Sequence, residues 1–235
     1  MELKQLIRKE YGLNILNLSK LTKFAHHDVY LAETTNKNKV IIKLLPNMNK
    51  KSKSSIFLQV KLAKKNIAPN IIKNNAGEYF ISNYKNILFL QKYIETSEEV
   101  GCNISDLITM YKELGNTKIH GDLRPSNALY TKDHHSYFID FEYFGPGNRS
   151  SEILKFLILE SEGDIEYIYN KYTQISNEIK LQNLEVAAGT VLKEGYNFDF
   201  VLNHLTDLNS DYLKKEIKEH VLVIKTCLEK INVKR

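Results

Sequence analysis

Apolar residues recur at Leu3, Leu6 and Ile7, a helical interval, so the chain should open on a short amphipathic helix. From Leu16 to Leu45 the pattern changes to strands. Val29–Thr34 and Val40–Leu45 flank Asn36-Lys37-Asn38, whose asparagines suit a hairpin turn, and Pro46 stops the second strand. Ser52 or Ser54 can cap a helix running to about Asn66, with Ile56, Val60 and Ala63 on one face and Pro69 beyond its end. Two further strands are expected at Glu78–Tyr84 and Ile87–Ile94, joined by Lys85-Asn86. Beyond Glu95 helices dominate. One is expected near Ser105–Leu114, then short strands around Lys118-Ile119, Ala128–Thr131 and Tyr137–Ile139, then four or five helices from Ser151 onward. The last repeats apolar residues at Leu213, Ile217, Val221, Ile224 and Leu228. The fold class expected is α+β, in two parts: a small antiparallel-sheet lobe with one main helix (residues 1–94) and a mainly helical lobe (95–235).

Composition narrows the classes without naming one. With 235 residues, 43% hydrophobic and 26% charged, the chain can bury a substantial core. Its +5 charge comes from 33 basic and 28 acidic residues. The densest basic cluster, Lys50-Lys51-Ser52-Lys53, reads as a helix opening. No helical stripe of basic residues with aromatics between them stands out, so a nucleic-acid partner is not expected. Cys102 and Cys227 are far apart and lack metal-ligand spacing, which excludes a disulfide framework or zinc site. Few cysteines and no signal-peptide pattern lead us to expect a cytoplasmic setting. Runs such as Ile153–Leu159 are too short to span a bilayer, so no membrane partner is expected.

The chemistry concentrates in His120-Gly121-Asp122-Leu123-Arg124-Pro125-Ser126-Asn127-Ala128-Leu129-Tyr130, followed by Ile139-Asp140-Phe141. Asp122 is placed to receive a proton from an attacking hydroxyl. Asn127 and Asp140 offer hard oxygen ligands suited to magnesium, and the residues between them suffice for two short strands that return Asp140 beside the amide. Arg124 could stabilise charge on transferring phosphoryl oxygens. His120 reads as structural, its ring bonded to backbone near Asp140.

The Asp-x-x-x-x-Asn core resembles the His-Arg-Asp catalytic loop of protein kinases. The glycine after the histidine, and Ile139-Asp140-Phe141-Glu142-Tyr143 with Gly145 and Gly147 behind it, resemble the aminoglycoside phosphotransferase and choline kinase family. Glu152-Ile153-Leu154 stands where that family commonly shows Asp-Leu-Ala. The resemblance is sharp from about Ile119 to Leu154 and diffuse from Val29 to Ile94. It implies a protein-kinase-like bilobal fold, ATP (with GTP as the alternative nucleotide), Mg2+ and phosphorylation of a small-molecule hydroxyl.

Val40-Ile41-Ile42-Lys43 resembles the Val-Ala-Ile-Lys strand of kinases. Alternation puts Ile41 and Lys43 on one face, so Ile41 would cover the adenine and Lys43 would reach the α- and β-phosphates. Val29 and Leu129 would close the base pocket from two sides. The Lys92-Tyr93-Ile94 backbone would bond the adenine edge. Three features depart from the family. Ala25-His26-His27-Asp28 contains no glycine. The main helix offers Lys43 only Ser55 and Gln59 where a glutamate is usual, leaving Glu78 or another carboxylate to pair it. The stretch from hinge to Asp122 is short, which suits a small or open acceptor pocket. Glu142, Glu152, Glu160, Glu162, Asp164 and Glu166 accumulate after the loop and would suit a cationic acceptor, such as an aminoglycoside or amino alcohol. Competing readings are an atypical, Rio-like protein kinase and a nucleotide-binding pseudokinase scaffold. The oligomeric state is not legible.

Overall fold

The computed structural model describes residues 2–21, 28–46, 50–82, 86–99, 101–193 and 211–233. The loop expected over the phosphates, including Ala25, His26 and His27, lies outside them, as do Lys85 and the side chains of Leu213 and Ile217. The chain divides into two compact units. The first comprises Met1–Thr96 with Tyr137–Tyr143, the second Ser97–Ser136 with Phe144–Arg235.

In the first unit, α1 (Leu3–Tyr11) ends at Gly12, whose φ of 67° turns the chain into β1 (Ile15–Lys20). β2 (Asp28–Thr34) and β3 (Lys39–Pro46) form the expected hairpin. Its left-handed residue is Lys37, at φ 59°, rather than an asparagine. The main helix α2 spans Lys50–Ala63, so Ser52 and Ser54 lie inside its first turns rather than at its cap. Its C-terminal turn closes through Ile67 N–H to Leu62 O, with Asn66 at φ 59°. β4 (Ile71–Ile72), β5 (Ile81–Ser82) and β6 (Asn86–Lys92) complete an antiparallel sheet in the order β1-β2-β3-β6-β4, with β5 also pairing β6. β4 was not expected, and β5 is shorter than the strand expected at Glu78–Tyr84: Glu78–Phe80 are not in a strand.

Strand alternation gives this sheet two apolar faces. On one, Ala32, Val40, Ile42, Leu88 and Leu90 pack with Ile7 and Tyr11 of α1. On the other, Leu45, Ile87 and Phe89 pack with Ile56 of α2. The period of two puts Ile41, Lys43 and Leu45 on the α2 side.

In the second unit, α3 (Ile104–Leu114) is capped by Asn103, whose side chain accepts from Ser105 and Asp106 N–H. β7 (Lys118–Ile119) pairs with β10 (Gly145–Pro146). Between them in the chain come a 3-10 turn at Pro125–Asn127, β8 (Ala128–Tyr130), β9 (Ser136–Phe138) and a 3-10 turn at Phe141–Tyr143, of which Tyr137–Tyr143 belong to the first unit. Then follow α4 (Arg149–Glu160), α5 (Ile165–Ser176), α6 (Leu184–Lys193) and α7 (Asp211–Val233). α4 is the hub. Ile153, Leu154, Phe156, Leu157 and Ile158 are fully buried, and α5, α6 and α7 all pack against the helix. Among the described residues no helix is long and apolar enough to cross a membrane.

Candidate active site

The Asp122 loop is held from below by one buried carboxylate. Glu152, in the first turn of α4 and 5% exposed, accepts hydrogen bonds from Gly121 N–H (2.7 Å), His120 N–H (2.9 Å) and the Tyr111 hydroxyl (2.6 Å). Gly121 sits at φ 92°, a conformation that side chains resist, and this turn presents both amides to the carboxylate. Arg149, one turn earlier, donates to the Tyr111 and Gly115 carbonyls and lies 5.5 Å over the Tyr111 ring. It therefore caps the C-terminal end of α3, where carbonyls lack helical partners. Burial, and then the Glu152 charge, push the Tyr111 hydroxyl well above its ordinary pKa, so it stays a donor. Behind the loop, Gly147 lies so close to Ile119 that a β-carbon would come within 2.4 Å of its side chain.

Within the loop, Asp122 Oδ2 collects three donors: Arg124 Nη2 (2.6 Å), Arg124 Nε (3.2 Å) and Asn127 Nδ2 (3.0 Å). Asn127 Nδ2 also donates to the Asp122 carbonyl (2.8 Å), and His120 Nδ1 accepts the Asp122 N–H (3.3 Å). His120 is fully buried and Asn127 nearly so, while the Asp122 side chain keeps 30% of its surface exposed. Two consequences follow. One carboxylate oxygen of Asp122, Oδ2, is fixed by the loop, and none of these three donors reaches Oδ1. And because Asn127 uses its NH2 group inside the loop, its Oδ1 is left as the atom able to bind a cation. Leu129, in β8, is half-buried.

The sequence reading missed Lys155. It lies on α4 one turn beyond Glu152, on the same side by helical spacing. Burial lowers its pKa, and the charges of Glu152 and Asp122 oppose that shift, so an ammonium group stands near the candidate base.

The other candidate residues belong to the first unit. Lys43, 4% exposed, pairs with Asp140 Oδ1. The missing helix glutamate is thus replaced by the aspartate expected to bind metal, not by Glu78. Ser55 and Gln59 are buried, and the Gln59 amide bonds Pro69 O (3.0 Å) and Gln91 Oε1 (2.9 Å). Asp140 adopts φ 64°, a strained position that an aspartate tolerates better than most residues. Its segment is anchored to the end of α2 by Phe138 N–H to Ile67 O (2.9 Å) and by the Tyr137 hydroxyl to Asn66 (3.1 Å). Val29 stands opposite Lys43 in the β2–β3 register, and Gln91 opposite Ile41. Val29 and Ile41 are buried. The Lys92 N–H bonds Asn70 O (2.8 Å).

The acidic residues after the loop have largely internal roles. Glu152 is the loop clamp, Asp164 caps α5, and Glu160 accepts the Tyr167 hydroxyl at 3.0 Å while burial raises its pKa. Among the described residues no three His, Cys, Asp or Glu side chains cluster in a way that could hold a metal. The oxygen donors of Asn127 and Asp140 suit magnesium, which keeps several waters and needs few protein ligands.

The pattern of the phosphotransferase enzyme family (APH) matches residues 107–174, which include the Asp122 loop, Asp140 and Glu152. No curated protein sequence matches the chain. Among solved structures, an aminoglycoside phosphotransferase from Alicyclobacillus acidocaldarius superposes with a TM-score of 0.69 at 10% identity, covering 100% of this chain and 95% of that one. A spectinomycin phosphotransferase, solved with ADP and spectinomycin, gives 0.67 at 11% identity over 97% and 98%. A choline kinase from Streptococcus pneumoniae gives 0.55 at 15% identity over 99% and 98%. These likenesses establish the fold as the protein-kinase-like α+β arrangement, an N-terminal antiparallel sheet unit followed by a helical unit.

Proposed function

We propose that this chain is a phosphotransferase that moves the γ-phosphoryl group of ATP to the hydroxyl of a small molecule. The observation that carries the reading is the ordered Asp122 loop. One aspartate oxygen is pinned by Arg124 and Asn127, the other is free of the loop, and the whole turn is clamped by a buried glutamate. Phosphoryl transfer asks a protein mainly for positioning and charge compensation, and such a loop supplies the first.

In this reading Asp122 Oδ1 orients the acceptor hydroxyl and takes its proton as the new P–O bond forms and the bond to the ADP oxygen breaks. Lys43 leaves Asp140 to bind the α- and β-phosphates. Asp140 and the Asn127 carboxamide are each candidates to hold Mg2+, which when bound would supply charge neutralisation on the phosphates. Arg124 and Lys155 add positive charge beside Asp122. Val29, Ile41 and Leu129 cover the base, with Tyr93 and Ile94 at its edge.

Acceptor chemistry is the finer part of the proposal. Because Glu152, Glu160 and Asp164 are occupied internally, a cationic acceptor would have to rest on other acids. Aminoglycosides, choline, ethanolamine and sugars are therefore all included in the test. Purified protein with γ-labelled ATP and magnesium should label one of these acceptors at about 1–100 turnovers per second. Asp122→Asn should bind Mg-ATP normally yet lose about 10²–10⁴-fold in turnover. Equal rates for parent and Asp122→Asn on a genuine acceptor would remove Asp122 from the reaction.

A further inference from the structure

Charge is segregated along this chain. Residues 34–77 contain ten lysines and no aspartate or glutamate. The first unit carries 17 Lys and Arg against eight Asp and Glu, whereas the second carries 16 against 20. The modest overall charge conceals this division.

Helix α2 concentrates the basic side into a line. Its inward face is Ser55, Ile56, Gln59 and Leu62, all buried. At 100° per residue, the opposite face presents Lys53, Phe57, Lys61 and, just past the helix end, Lys64, every one of them exposed. Successive members are about 6 Å apart along the axis, with Lys64 about 4.5 Å beyond Lys61. The helix itself contains no acidic residue. The sequence reading expected this helix but followed only its apolar face and the cluster at Lys50–Lys53, and so passed over the stripe on the opposite side.

Phe57 distinguishes this stripe from an ordinary solvated face. It is 53% exposed, yet braced edge-on by Tyr79 (centroids 6.3 Å apart, planes at 87°) and Phe80 (6.1 Å, 79°). Lys73 lies 5.0 Å over Tyr79, and Lys53 lies 5.8 Å over Phe80. The result is a fixed aromatic platform rimmed by cations.

We propose that the outer face of α2 binds single-stranded nucleic acid, with Lys53, Lys61 and Lys64 taking backbone phosphates and a base stacking on Phe57. Lys53 and Lys61 lie about 12 Å apart along the axis with Phe57 midway, which suits phosphates on either side of one stacked nucleotide, and a lone stacking platform needs an unpaired base. An anionic bilayer would attract the same lysines, but a single braced ring offers it little apolar surface to insert. This inference does not depend on the phosphotransfer reading.

The test uses the full chain with fluorescent oligo(dT) and oligo(rU) of about twelve nucleotides, followed by anisotropy from about 50 to 200 mM salt. Three phosphate contacts predict a slope of log K against log[salt] near −2, and Lys53→Gln or Lys61→Gln should each reduce its magnitude by about 0.7. Phe57→Ala should weaken binding on the order of 5- to 150-fold with the slope unchanged, while Phe57→Tyr retains affinity. The tighter of the two oligomers identifies the preferred sugar. The proposal is overturned if neither oligomer binds at low salt, or if Phe57→Ala binds like the parent. It is equally overturned if Lys180→Gln in the second unit matches the stripe variants, or if only phosphatidylserine vesicles are bound.

Discussion

Replacing Glu152 by glutamine probes the loop clamp with almost no change in shape. The carboxylate faces three donors, with Gly121 N–H on one oxygen and His120 N–H and the Tyr111 hydroxyl on the other. A carboxamide has only one acceptor oxygen. If its NH2 group faces Gly121, that buried N–H loses its partner. If it faces the other pair, the tyrosine can rotate to accept but the His120 N–H cannot. Either orientation strands one backbone donor, at a cost of about 1–3 kcal/mol. Neutralising a buried charge recovers part of its desolvation cost, which places the expected value toward the lower half of that range. For a chain of this length each kcal/mol moves the melting midpoint by about 2–4 °C, so Glu152→Gln should melt about 2–8 °C below the parent. Tyr111→Phe removes one of the three donors, leaves both amides bonded, and should cost about 1 kcal/mol. The same variants separate positioning from nucleotide binding. Glu152→Gln should lower kcat and leave the KM for ATP nearly unchanged, since Lys43 and Asp140 belong to the other unit. A Glu152→Gln protein that melts within about 1 °C of the parent and keeps its kcat would refute the clamp.

Other perturbations test separate parts of the molecule. Lys43→Met removes the ammonium paired with Asp140 and should abolish measurable ATP binding by calorimetry. The stability loss should stay below the roughly 3–5 kcal/mol of a fully buried pair, because Asp140 keeps 27% side-chain exposure and can rehydrate. Retained ATP affinity would remove Lys43 from the nucleotide site. Glu160 carries a carboxyl whose pKa burial raises, so the folded state binds its proton more tightly than the unfolded chain does. Stability contributed by the protonated form is present below the ordinary carboxylate pKa and is lost as pH rises through the raised value. Glu160→Gln should therefore raise the melting midpoint at pH 7 and change it little near pH 4. A uniform shift at both would exclude this linkage.

Elements with several turns or a clear alternation could be read from sequence, and those defined by distant partners could not. α1, the β2–β3 hairpin, α3 and the succession of helices from α4 onward follow from apolar intervals and turn residues. β4 was invisible because two residues show no period, and it exists only by pairing with β6. The Asp122 loop was legible because its chemistry lies within a few consecutive residues. Glu152 stood out by its place in the resembled pattern, but its role as a clamp was not legible, because its partners include backbone amides about thirty positions away that carry no residue code. The partner of Lys43 was sought on α2 and lies 97 positions along the chain at Asp140. Lys155 came into view only because its helix places it one turn from Glu152.

The proposed function turns on Asp140 as a ligand of the magnesium carried by ATP. Calorimetric titration of ATP into the parent and Asp140→Asn, each with and without magnesium, measures that directly, and asparagine at position 140 also tolerates the left-handed backbone. The account predicts that magnesium strengthens ATP binding by the parent and leaves the affinity of the variant nearly unchanged. Equal gains from magnesium in both proteins would move the metal away from Asp140 and contradict the account.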